Sequence, residues 1–464
     1  MTFNLNKKYQ YIFLLIIFLG SLFNGSNSDL LIQINFVLFS ALFFIVVLDI
    51  NKKQFLIFLI KKNKNIILLY FAFLLYLIIQ FLPLPIEVIK IITIEHYKII
   101  DGLELDYKIN FASISLNPSK TFFNFLNFVN IFIIILLTKA IFYKTDHITR
   151  FLFYVCLIGF VHAVLGIYFY LIGNPEVFIK ASSEYKNSAT GLFVNRTNYA
   201  IFLVLTAISG IQYIFEKNKK IINILQGKKR IDNLSIYVRS FLTFITVAII
   251  VSLSRLGNFS YLLSICLYVL LSFFYSKENF NKILLFFFIL FLFDILILGF
   301  YFGSDKLFER FLFLTSDLTH SNNITNPASA SVSFVSRIYL FDFSLDQIRN
   351  FLYTGYGAGA YETLYKIKAT IIDSSYANHA HNEYLEYFGE LGLVGSSLLL
   401  ILIIWSLKKI FYKIKNNNDL IINFFPLFII LLTFLTTSFF DFSLHIPSIM
   451  YLIISIFSVC GSKK

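Results

Sequence analysis

Charge is scarce in this sequence: 14 % of its 464 residues are charged, against about 25 % in an ordinary soluble domain. Cysteine is scarcer still. Cys156, Cys266 and Cys460 are the three present, and each stands inside an apolar run. Buried free cysteines behave as small hydrophobes, and these offer neither a metal-ligand spacing nor a disulfide framework, so no metal is expected from them. No internal repeat occurs at an obvious period, which counts against a transporter built from inverted halves. No basic patch interleaved with aromatics lies away from the ends of the apolar runs, so the formal charge of +13 does not point to nucleic acid. Lys7 and Lys8 precede an apolar stretch with no small-residue cleavage site behind it, so the first run is expected to be a retained helix rather than a signal peptide.

What fills the chain is apolar: 58 % hydrophobic and 19 % aromatic residues, with a mean hydropathy of +0.76. A soluble chain of this length would show two or three domains. Here the length is taken up by runs able to cross a bilayer at about 20 residues each. Twelve are expected, at 9–24, 29–49, 65–86, 121–143, 149–172, 189–215, 236–254, 256–275, 282–303, 387–407, 420–441 and 444–461. The expected fold is therefore an all-α polytopic membrane protein of about twelve transmembrane helices, one integral membrane domain over 1–464. A smaller outer loop is expected at 87–120 and a large one at 304–386, between helices nine and ten.

With the N-terminus inside, the inner connections carry 23 Lys and Arg and the outer ones 13, of which six lie in the large loop. Long loops translocate largely regardless of charge, so both termini are expected to be cytoplasmic. The stretch 54–60 is too short to span and is flanked by Lys52, Lys53, Lys61 and Lys62, as expected of an interfacial segment. Lys139 and Arg239 sit near inner helix ends, where they can snorkel to headgroups.

The large loop includes a Ser/Asn/Thr-rich stretch at 315–331, an expected helix at 336–348 containing Leu340, Phe343 and Leu345, and a glycine-rich turn at 353–361. That turn has no Lys-Ser/Thr after it and is not a phosphate loop. At the end of the loop, Ala380–Ser397 reads AHNEYLEYFGELGLVGSS. Gly389, Gly392 and Gly395 recur at every third position and leave a face that a helix or a lipid-linked ligand can approach closely. His381 at the mouth suits a general base for a sugar hydroxyl, or an ordinary interfacial histidine.

Arg196 falls near the outer end of the sixth run and Arg255 in the tight turn between the seventh and eighth. Arginines beside spanning segments are costly and mark substrate paths, and their forks match phosphate oxygens; pairing with lipid headgroups is the plainer alternative. Arg337 and Arg310 are weaker candidates, able to pair with Asp342 or Glu309. His162 reads as a hydrogen-bonded interior histidine or a relay. Asp441 and His445 are expected to cap helices or support the site. Glu390 either orients His381 or complements the start of the tenth helix.

The string HNEYLEYFGELGLVG, with His381, Asn382, Glu390, Gly392 and Gly395, resembles the signature of the O-antigen ligase and polymerase family. ATGLFVNRTNYA (189–200, with Asn195 and Arg196) resembles that family's Asn-Arg-Asn element, SLSRLGNF (252–259) its Ser-Arg element, and DFSLHIPS (441–448) a C-terminal sequence of one branch. The resemblance covers roughly 110–460. It implies a GT-C-like, metal-independent glycosyltransferase of the bacterial inner membrane that faces the periplasm and needs no cofactor. The implied donor is a polyprenyl-diphosphate-linked glycan. The implied acceptor is lipid A core in a ligase, another lipid-linked or exopolysaccharide repeat in a polymerase, or Ser/Thr in a protein O-oligosaccharyltransferase. His381, Arg255 and Arg196 are the implied catalytic residues, and Arg337, Asn382, Glu390 and Asn195 the implied substrate contacts. A lipid-linked sugar flippase shares the helix count and the arginines but has no evident need for the large loop.

Overall fold

The computed structural model describes residues 2–102, 109–174, 188–224, 233–275, 332–369, 377–415 and 424–461, with five isolated positions between 284 and 292. The expected ninth helix, the 315–331 stretch, Glu309 and Arg310 lie outside or almost wholly outside these residues.

The first half of the chain forms α1 (Thr2–Leu22), α2 (Asp29–Leu48), α3 (Ile50–Lys62), α4 (Lys64–Phe81), α5 (Ile86–Ile92), α6 (Ile94–Asp101), α7 (Pro118–Ile141) and α8 (Thr145–Leu171). It continues with α9 (Arg196–Ile224), α10 (Asn233–Val251), α11 (Arg255–Tyr275), α12 (Val332–Asn350), α13 (Tyr361–Lys368), α14 (Glu383–Lys415), α15 (Phe425–Thr437) and α16 (Pro447–Cys460). The described β-structure is one two-residue ladder, β1 (Leu84–Pro85) with β2 (Phe111–Ala112), in antiparallel register Leu84↔Ala112. Eight helices among the described residues are long and apolar enough to cross a membrane, and α15 and α16 are shorter apolar helices. The chain is an all-α polytopic membrane protein.

Local chemistry sets several helix starts. The Ser28 hydroxyl accepts from Leu31 N at the start of α2, and the Asp49 carboxylate accepts from Asn51 and Lys52 N at the start of α3. Asn117 caps α7, whose first residue is Pro118, a position where the missing N–H costs nothing. The interfacial segment expected at 54–60 lies within α3, whose Lys52 is buried and donates to Ala140 O at 2.6 Å. The sixth run starts later than expected: α9 opens at Arg196, because 188–195 are bends and turns.

The core is organised around α9. An 18-residue window within Arg196–Lys217 is wholly buried, and α8, α10 and α11 pack against it. A Cβ on Gly159 of α8 would come within 2.0 Å of Thr206 Oγ1, so the two helices meet at a distance only glycine permits. A second group centres on α7, flanked by α2, α4 and α16. Cys156 and Cys460 are buried, as expected; Cys266 is exposed, because its position on α11 turns away from α9.

The segment before α14 has its own aromatic cluster, built from Leu340, Phe343, Phe351, Tyr356, Tyr361, Leu364 and Tyr365. It docks where α14 is broken: Gly392 has φ 62° and ψ −173°. The backbone groups released there pair with the glycine-rich turn. Tyr356 N donates to Gly389 O (3.0 Å), Gly357 N to Glu390 O (3.1 Å), Leu393 N to Leu352 O (2.8 Å) and Val394 N to Tyr353 O (3.2 Å). From α4, the Tyr76 hydroxyl lies within hydrogen-bond distance of Thr354 O (2.6 Å) and Leu391 O (2.7 Å) and donates its one proton to either, and Gln80 Nε2 donates to Thr354 O and Glu390 O.

Candidate functional site

Arg196 and Arg255 are the first residues of α9 and α11. A cation at a helix N-terminus opposes the macrodipole, at a cost of about 0.3–1 kcal/mol. Two such placements at one end of the bundle make sense where an anion is to be held, since the free N–H groups, the dipole and the guanidinium all favour negative charge there. Arg255 is exposed, with no ion-pair partner among the described residues, and Arg196 is half-buried. The two helix starts are tied together: Ser254 Oγ donates to Thr197 Oγ1 at 3.1 Å. Gly257 lets α11 approach α9, since a Cβ there would stand 2.3 Å from the Ala200 Cβ. Leu253, two residues before Arg255, is in the left-handed region at φ 53°.

His381 stands just before α14, beside the 441–446 turn. Its Nδ1 lies 3.8 Å from Asp441 Oδ1, and its side chain is 31 % exposed. Asp441 is buried, and its other oxygen accepts from the Ser443 hydroxyl at 2.7 Å; that hydroxyl lies 3.1 Å from the side-chain amide of Asn198 on α9. His381 Nδ1 makes no hydrogen bond among the described residues, but its 3.8 Å approach sets it beside Asp441, which the Ser443 hydroxyl joins to Asn198 in the first turn of α9. Thr197, the sequence neighbour of Asn198, accepts from Ser254 just before α11. His381 itself has φ 52°, a conformation costing a non-glycine residue about 1–3 kcal/mol and concentrated at functional positions.

Both implied substrate-contact asparagines serve as helix caps. Asn195 Oδ1 accepts from Thr197 N at 2.7 Å, and Asn382 Oδ1 accepts from Tyr384 N and Leu385 N at 3.1 Å each. Arg337 is exposed on α12. Glu390 does not orient His381 and does not complement the first turn of α14. It is buried, with Oε2 3.7 Å from His445 Nε2; position 390 lies two turns along the helix, on the face turned towards the 441–446 segment. Gly389 and Gly395 receive protein rather than a ligand: a Cβ at Gly389 would meet the Tyr356 ring at 2.7 Å, and one at Gly395 the Tyr76 ring at 2.4 Å. His162 is an interior histidine, buried with Nε2 2.8 Å from Ser21 Oγ.

The sequence reading missed a cluster beside His381. Glu383, Glu386 and Glu390 share one face of α14, at i, i+3 and i+7, and all three are buried. His379 Nδ1 donates to Glu386 Oε1 at 2.6 Å and its ring stacks on Phe442 at 4.1 Å. His445 Nδ1 donates to Glu383 Oε2 at 2.7 Å, and its Nε2 lies 3.5 Å from Glu386 Oε1. Glu386 Oε2 accepts from Ala380 N at 2.8 Å, and Glu383 Oε1 accepts from Leu444 N. Burial pushes the His445 imidazole down, but the Tyr387 hydroxyl and the Glu386 and Glu383 carboxylates outweigh it and hold the group well above the usual histidine range. The available signal was the spacing: three acids at helical period in an apolar run have no reason to share a face unless something buried meets them.

Residues 240–402 match the family model described as O-Antigen ligase. The matched segment includes Arg255, Arg337, His381, Asn382 and Glu390, and leaves Asn195 and Arg196 before it. No curated protein matches the chain.

Proposed function

We propose that this chain, whose residues 240–402 match the O-Antigen ligase family model, transfers a polyprenyl-diphosphate-linked glycan to an acceptor hydroxyl on lipid A core. In this reading the helix starts bearing Arg196 and Arg255 open to the periplasmic side of the inner membrane, and both termini are cytoplasmic.

The observation that carries the reading is the set of buried polar groups that stand between His381 and the starts of α9 and α11. His381 stands 3.8 Å from Asp441, which Ser443 joins to Asn198 in the first turn of α9, while Thr197 in that same turn accepts from Ser254 beside Arg255. The arginines hold the diphosphate bidentately, aided by the two helix N-termini. His381 positions the acceptor hydroxyl and accepts its proton as that oxygen attacks the anomeric carbon. The bond from that carbon to the phosphate oxygen breaks, and the diphosphate leaves with its charge held by the guanidinium groups. Charge stabilisation by prepositioned donors is commonly the largest catalytic contribution, and two arginines supply it here without a metal at the leaving group. Direct displacement implies inversion at the anomeric carbon. Asn195 and Asn382 keep the two flanking helix starts in place, and Arg337 extends the positive surface towards the glycan.

The length of α15 and α16 fits a recessed site. At 13 and 14 residues each spans about 20 Å, short of the hydrocarbon thickness of about 30 Å, which leaves room for a 438–446 turn set below the membrane surface.

The test is transfer by the purified protein from a polyprenyl-diphosphate oligosaccharide, with acceptors offered separately. Product on lipid A core supports a ligase. Lengthening of the donor glycan without that acceptor makes the protein a polymerase, and product on a Ser/Thr peptide an O-oligosaccharyltransferase. Donor binding with no transfer to any acceptor overturns the enzyme reading in favour of a lipid-linked sugar transporter.

A further inference from the structure

Three carboxylates share the buried face of α14, and among the described residues no lysine or arginine pairs with Glu383, Glu386 or Glu390. Buried carboxylates persist only when paired or coordinated. Two imidazoles face them, from His379 before the helix and His445 in the turn before α16. Two atoms in the cluster remain orphaned: His445 Nε2 and Glu390 Oε1 are buried without a hydrogen-bond partner. Both side chains are more than nine-tenths buried, and they are aimed at one another across 3.7 Å from His445 Nε2 to Glu390 Oε2.

We propose that His379, Glu386, His445 and Glu390 form a binding site for a divalent transition-metal cation of the zinc type. His379 Nδ1, Glu386 Oε1 and His445 Nε2 all lie within 4.8 Å of one another. Tetrahedral ligands at zinc distances stand about 3.3 Å apart, so closure needs only small side-chain shifts. Two imidazoles with carboxylates suit zinc or cobalt, whereas calcium and magnesium take all-oxygen sets. The outer partner is also present. His445 Nδ1 donates to Glu383 Oε2 at 2.7 Å, which fixes the ring and turns Nε2 to the centre, the arrangement usual behind a metal-bound histidine. Binding exchanges the His379 Nδ1 proton and any proton on His445 Nε2 for the cation, and these protons leave to solvent.

The site stands apart from the reacting groups. Phe442 lies between them, stacked on His379 at 4.1 Å and edge-on to His381 at 5.0 Å. The cation would pin the start of α14 to the 441–446 turn.

The experiment uses the full chain in detergent, treated with a chelator, dialysed and titrated with Co2+ alone while visible absorption is recorded. Zn2+ then competes, and bound metal is counted by mass spectrometry. The expected result is one equivalent of Co2+ with ligand-field bands, displaced by Zn2+. Binding is lost in His445→Ala and weakened roughly 10–100-fold in the near-isosteric Glu383→Gln, which acts through His445. Arg349→Ala, on an exposed face of α12, binds as the unaltered chain does. A monodisperse unaltered protein that takes up no stoichiometric Co2+ or Zn2+ overturns the proposal, as does equal affinity in the Glu383→Gln and Glu386→Gln variants. Glycan transfer is not the readout, so this inference and the proposed function fail separately.

Discussion

Gly392→Ala should be among the most damaging small substitutions in the chain. At φ 62° and ψ −173° the backbone lies in a region essentially reserved for glycine, and an L side chain there costs about 1–3 kcal/mol. A Cβ would also stand 2.3 Å from Gly355 N and 2.6 Å from Tyr353 O. These are backbone atoms, so the glycine-rich turn and α14 must separate. Four backbone hydrogen bonds cross that contact, each worth roughly 0.5–1.5 kcal/mol net, and loss of two brings the total to about 2–6 kcal/mol. Gly173→Ala is the matched control: its φ is 82°, but among the described residues nothing lies within 4 Å of the added Cβ, leaving a conformational cost of about 1–2 kcal/mol. The assay is the midpoint for loss of monodisperse protein on heating in detergent, with protease cleavage of the 352–369 segment as a second readout. Gly392→Ala should fall well below Gly173→Ala and expose that segment. Equal midpoints for the two variants would refute the docking argument.

Arg196→Lys and Arg255→Lys should each keep the charge yet lose bidentate contact, raising the KM for the lipid-linked donor about tenfold or more, measured by steady-state transfer. Asp441→Asn removes the buried carboxylate beside His381 and should lower kcat, by roughly 10-fold or more, with donor binding unchanged in a binding assay. Lys368 Nζ bonds Glu95 Oε1 at 2.6 Å and joins α13 to α6, and the Lys368 ammonium holds the Glu95 carboxyl below its usual range. Because the folded value is depressed, this contact stabilises above the ordinary carboxylate pKa of about 4.3 and is lost as pH falls through the folded value. Protease protection of α13 should therefore fall on acidification below about pH 4, and Lys368→Met should remove that pH dependence.

The helices were legible because their signal is local: apolar runs of spanning length, and basic residues between them. The arginines were legible too, since a charge at the edge of an apolar run is conspicuous. The break at Gly392 was not, because the apolar pattern continues through it and the groups that satisfy the freed backbone come from 352–357 and from Gln80, far away in sequence. The glycine spacing was visible, but what fills the space it leaves is decided by packing of Tyr356 and Tyr76. Glu383 and His445 stand 62 residues apart and meet only because α15 returns the chain to the start of α14. His381 was found from its motif, whereas its place beside Asp441, and the link from Asp441 through Ser443 to Asn198 of α9, depend on a turn whose geometry no periodicity encodes.

The central claim is that His381 and the starts of α9 and α11 form one reacting site. Its most direct test is single-turnover transfer from bound polyprenyl-diphosphate glycan, comparing the unaltered chain with His381→Ala and Arg255→Ala at matched donor occupancy. The account predicts a transfer rate lower by roughly 10²–10⁴ in each variant, with the donor still bound. Unchanged transfer in His381→Ala would contradict it.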